Sequence, residues 1–155
     1  MIHDFIMHVI CPFAGTVGYA VLFNIPRRFY LCCGITGTAG WLLYHAVVSM
    51  DASAATASFF GTMAVVLTSR VMSVRKKCPI TIFLVAGILP LVPGAGIYYT
   101  VYYMVTNQLA EAVQRGMDSV KVAFAIVLGI VLVLSIPGGV FQMASVDSRR
   151  KSPKE

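Results

Sequence analysis

Five runs free of Asp, Glu, Lys and Arg, at residues 5–24, 29–50, 52–69, 80–104 and 122–143, dominate this 155-residue chain, and all 18 charged residues fall outside them. Each run has 18 to 25 residues, and roughly 20 apolar residues in a helix cross a hydrocarbon core of ~30 Å. Inside that core the backbone must satisfy its own hydrogen bonds, which a helix does within one segment. The chain is therefore expected to be all-α: a polytopic membrane protein of about five transmembrane helices. Composition agrees, with 58% hydrophobic and 12% charged residues and a mean hydropathy of +0.82. A soluble domain of this length cannot hide that much apolar surface.

The least marked boundary lies at Ser49, Met50 and Asp51. Read as one helix, residues 29–69 would extend about 60 Å at 1.5 Å per residue, twice the bilayer. The chain must turn there, and Asp51 is expected to accept from the first amides of the third helix as its N-cap. Residues 1–144 are read as one transmembrane domain and 145–155 as a flexible basic cytoplasmic tail, too polar to pack. A short interfacial helix is expected on the external side at 106–119, where Leu109, Val113 and Met117 recur every four residues among polar ones.

Charge sets the orientation. Arg27, Arg28, Arg70, Arg75, Lys76, Lys77, Arg149, Arg150, Lys151 and Lys154 share one side of a five-span chain, whereas the other carries only Arg115 and Lys121. The positive-inside rule then places the N-terminus outside and the C-terminus in the cytoplasm. The net charge of +6 follows from this topology, so no nucleic-acid partner is invoked. The first four residues lack a basic region and the first apolar run is long enough to span, so no cleavable signal peptide is expected. Cys11, Cys32, Cys33 and Cys78 show no Cys-x-x-Cys spacing and are read as structural, with no metal and no cofactor expected.

Most glycines fall inside the spans, where small residues let helices approach closely. Gly34, Gly37 and Gly40 give the second helix a small-residue face, and residues 52–58 do the same for the third, so these two are expected to pack as a hairpin.

The fourth run is broken. Pro90 cannot donate to the carbonyl of Ala86, nor Pro93 to that of Leu89, and each ring clashes with the preceding turn. A break between Pro90 and Gly96 in hydrocarbon is tolerated where it lines a cavity, or where a neighbouring helix fills a kink. If the helix restarts with Pro93 at its first position, the amides of Gly94, Ala95 and Gly96 form an anion-binding end suited to a carboxylate. Tyr98 and Tyr99, nearest the break, either close over a solute or join Tyr102 and Tyr103 in an interfacial belt. A second break at Ser135, Ile136, Pro137 and Gly138 suggests a shared cavity.

No set of nucleophiles, acids or bases converges in the apolar runs, which argues against an enzyme. Only His8 and His45 are ionisable near neutral pH there, and both are candidates for proton coupling. Asp4 lies four residues before His8 and can share its helix face; a solvated helix start explains that pair equally. Pro12 removes the hydrogen bond that would occupy the His8 carbonyl.

The motifs at Asn24 and Pro26, at residues 88–98 with their Pro-x-x-Pro-Gly context, and at Pro137 and Gly138 resemble the threonine/serine exporter family. The likeness is to the short membrane subunit of its split, two-protein form. The resemblance implies a secondary transporter that exports small carboxylate solutes, threonine and serine in some members and succinate in others, driven by the proton gradient. It also implies a partner: a larger five-helix subunit with a soluble N-terminal region. Asn24 and Pro26 are carried over as motif residues; capping of the helix end explains Asn24 as well as solute contact does. The alternative class is a non-transporting membrane scaffold subunit.

Overall fold

A computed structural model describes residues 2–136, with side chains from residue 7 onward. Six helices follow one another: α1 (Ile2–Leu22), α2 (Tyr30–Val48), α3 (Ala54–Lys76), α4 (Thr81–Ile88), α5 (Gly94–Val105) and α6 (Leu109–Leu134). No strand occurs among the described residues. By length and composition α2 with its leading 3₁₀ turn, α3 and α6 can each cross a membrane, and α4 and α5 form a fourth candidate span bent by 49°. The apolar part of α1, Met7–Leu22, is shorter than these.

The helices end where side chains permit it. Asn24, Asp51, Lys77 and Asn107 take left-handed φ values of 53°, 58°, 52° and 60°, a region in which Asn and Asp lose less than other side chains because they can bond locally. At the end of α1 the Ile25 amide donates to Ala20 and the Asn24 amide to Val21, the paired closure of a Schellman motif. Asn107 closes α5 in the same way, with Gln108 donating to Tyr103 and Asn107 to Met104.

Glycine is spent on packing. No described glycine has positive φ, and a Cβ on Gly34 or Gly37 would strike Phe13 or Thr16 of α1, while one on Gly40 would strike Val65 of α3. A Cβ on Gly129 of α6 would similarly lie 3.1 Å from the Phe59 carbonyl and 3.2 Å from Thr62 of α3. The two faces of α2 thus bind α1 and α3 at backbone distance, and α2 and α3 form the expected hairpin. α5 packs chiefly on α6.

Four local expectations are corrected. Ser53, not Asp51, caps α3, its hydroxyl accepting from the Thr56 amide at 3.2 Å; Asp51 is committed instead to the left-handed turn before it. The short helix expected at 106–119 is the first part of α6, which runs unbroken for 26 residues. It contains no proline, and a Cβ on its one early glycine, Gly116, would lie 3.2 Å from the Thr100 side chain. α6 therefore begins well before residue 122 and ends at Leu134, just before the break expected at Ser135; residues 137–143 of the fifth run lie outside the described residues. Pro93 precedes the first turn of α5 as its cap rather than entering it.

One end of the bundle gathers the ends of α1 and α3 and the starts of α2 and α4, where Ala20, Ile25, Phe29, Cys33 and Phe83 pack with Met72 and Cys78. The end of α6 joins them through Arg70, whose guanidinium donates to the carbonyls of Leu134 at 2.7 Å and Ile136 at 2.5 Å. Arg27, Arg28, Arg75, Lys76 and Lys77 lie at this same end.

Candidate functional site

One face of α1 carries Met7, Cys11, Gly15 and Tyr19 at four-residue intervals, which places them one above another along the helix. With the neighbouring His8 and Pro12, Trp41 of α2 and Pro90 of the broken segment, they line a cavity of about 360 Å³. Gly15 makes part of this space, since a Cβ there meets nothing within 4 Å. Pro12 sits inside α1 and its carbonyl is taken by the Thr16 hydroxyl at 2.7 Å. It has no amide hydrogen to give the His8 carbonyl.

The two histidines meet beside this cavity. The rings of His8 and His45 lie 4.0 Å apart, tilted by 46°, although 37 positions separate them in the chain. The contact exists because Gly34 and Gly37 let α1 lie directly on α2, opposing the start of one helix to the end of the other. The Trp41 indole donates from Nε1 to His8 Nδ1 at 3.4 Å and stacks on Tyr44 at 5.5 Å. His8 is half-buried and His45 exposed. Asp4 belongs to α1, but its side chain lies outside those described.

The broken segment divides the other candidates. A 3₁₀ turn, Leu89–Leu91, follows α4 and packs on α1 and α2, which brings Pro90 to the cavity. Pro93, Gly94, Ala95, Gly96, Tyr98 and Tyr99 are not among its lining residues. The Gly94 amide bonds to the Val92 carbonyl at 2.7 Å, while those of Ala95 and Gly96 have no hydrogen bond among the described residues. Two donors, rather than the expected three, stay open at the start of α5. The carbonyl of Leu89, expected to be free, accepts from Val92 at 3.2 Å. Tyr98 stacks on Tyr102 at 6.5 Å and Tyr99 on Tyr103 at 6.3 Å; Tyr98 is 64% exposed. Asn24 serves as the helix-end cap and Pro26 leads into the turn before α2. Pro137 and Gly138 lie outside the described residues.

Sequence reasoning passed over Trp41, Met7, Cys11, Gly15 and Tyr19. The i, i+4 stripe on α1 was visible, but nothing in one chain distinguishes a stripe facing a cavity from one facing lipid. All four cysteines are free. Burial pushes the Cys78 thiol above its usual range, partly offset by Arg28. No group of three His, Cys, Asp or Glu among the described residues has a metal-holding arrangement.

Comparison with known proteins fits this anatomy. An uncharacterized protein of Haemophilus influenzae is 28% identical over 129 residues, which make up 81% of this chain and 43% of that protein. The chain thus spans less than half the length of that relative. No solved structure matches it. The pattern of the family described as Threonine/Serine exporter, ThrE, matches residues 8–136, a region holding His8, His45, Trp41 and the whole broken segment. The chain belongs to the threonine/serine exporter family.

Proposed function

We propose that this chain is one membrane half of a secondary transporter that exports small carboxylate solutes such as threonine and serine. The observation that carries the reading is the cavity between α1, Trp41 and Pro90, in a chain of an exporter family. Helix breaks at membrane depth provide the polar backbone that solutes use, and here the break closes one side of a space of amino-acid size. The His8 carbonyl, which Pro12 cannot reach as a donor, is the acceptor for an ammonium group. The open amides of Ala95 and Gly96 are donors for the part of the path that a larger partner subunit completes. A solute with one carboxylate suits the site better than succinate, because no Lys or Arg is among the residues lining the cavity.

In this reading α1 is a fifth span, the basic end of the bundle faces the cytoplasm of a bacterial inner membrane, and export is coupled to protons. Efflux from cells loaded with labelled threonine or serine, expressing this chain with its partner, tests it. Gly15 and Gly18 both have open space where a side chain would begin, but only Gly15 lines the cavity. Gly15→Leu is expected to abolish efflux with the protein still folded, and Gly18→Leu to leave it intact. Equal efflux from both variants would sink the site; no efflux of any carboxylate, with the partner present, would favour a scaffold.

A further inference from the structure

We propose that His8, His45 and Trp41 form a one-proton switch that moves a wall of the cavity. The inference rests on the transporter reading for its purpose but not for its existence.

The indole nitrogen is only ever a donor. Its bond to His8 Nδ1 therefore requires that nitrogen to be bare, which puts the single proton of neutral His8 on Nε2. A second proton can enter His8 only at Nδ1, where it faces the Trp41 N–H. Two donors cannot share that bond, so protonation of His8 releases Trp41. Because Trp41 and His8 both line the cavity, its shape changes with the proton.

His45 limits the count. With the two rings 4.0 Å apart, two imidazolium charges repel strongly at such separation, so the pair holds one proton at a time. Other titratable groups near the switch are Tyr44, stacked on Trp41, and Cys11 and Tyr19 along the same wall. Residues 81–91, which also pack on α1, contain none. Asp4 lies four residues before His8 in the chain.

Trp41 is the sole tryptophan, so its emission reports this contact directly. Full-length protein in lipid nanodiscs, titrated from ~pH 8 to ~pH 5 across the ordinary histidine range, is expected to show one step in Trp41 emission. The step should vanish in His8→Gln and persist in Asp4→Asn and Tyr44→Phe. A step that survives His8→Gln, or no step in the unsubstituted protein, overturns the switch. Because the chain also carries His3, proton uptake is read as the difference between the unsubstituted protein and a His8→Gln/His45→Gln double variant, and it is expected to be one per chain; two per chain overturns the shared proton. Nitrogen-15 spectra of labelled histidine, with the His8 signals assigned by their loss in His8→Gln, provide an independent check. A high-pH His8 tautomer carrying its proton on Nδ1 overturns the proposal, and one on Nε2 supports it. None of these measurements requires flux, so loss of the switch and failure of the transport reading are told apart.

Discussion

Asn24 shows how a residue's backbone can explain it without reference to solute. It occupies the left-handed position that closes α1, with its own amide and that of Ile25 bonded back into the helix. Asn24→Ala is expected to cost about 1 kcal/mol, because an ordinary side chain is disfavoured at that φ, whereas Asn24→Gly should keep stability within about 0.5 kcal/mol. Reversible unfolding in mixed micelles measures both. If Asn24 contacted solute, Asn24→Gly would lose efflux while remaining stable, and the capping account predicts full efflux. Cys78 offers a second test at this scale. Its thiol is pushed up by burial, so the neutral form persists through neutral pH. Maleimide labelling in detergent is expected to be slower at the half-buried Cys78 than at the exposed Cys11 below ~pH 9, and equal rates would contradict that placement.

At the scale of elements, α3 and α6 are joined at their ends by Arg70. Its planar fork supplies two donors to carbonyls that the last turn of α6 cannot satisfy. Arg70→Met is expected to fray that turn, seen as faster hydrogen exchange at residues 131–136, and Arg70→Lys to restore part of the protection. Unchanged exchange in Arg70→Met would remove the cap from the account. The break between α4 and α5 was legible in the chain because Pro90 and Pro93 remove two helix hydrogen bonds within one turn, whereas the single Pro12 leaves α1 continuous. The identity of the cap was less so. Asp51 and Ser53 are both good N-caps two residues apart, and the turn conformation at Asp51 decided for Ser53. α6 was misread for a related reason, since polar residues between Leu109 and Lys121 lower hydropathy without lowering helix propensity.

For the whole molecule, the orientation proposed above has a direct measurement. In intact cells an impermeant thiol reagent is expected to label Asn107→Cys from outside and to spare Lys77→Cys, in a background without the native cysteines. The reverse pattern would invert the molecule and place the histidine pair on the cytoplasmic side. The sequence by itself determined the helical class, the membrane character of its apolar runs, the broken fourth run and the segregation of basic residues. Each of these depends on transfer of single segments from water to hydrocarbon or on backbone chemistry within a few residues. Tertiary structure alone decided that His8 and His45 touch, that Trp41 binds one of them, and that Pro90 closes a cavity from which Gly94, Ala95 and Gly96 are absent. Those facts depend on how closely and in what register α1 lies against α2. Glycines at 34 and 37 permit that approach, but the register is set by the packed surfaces of several helices at once.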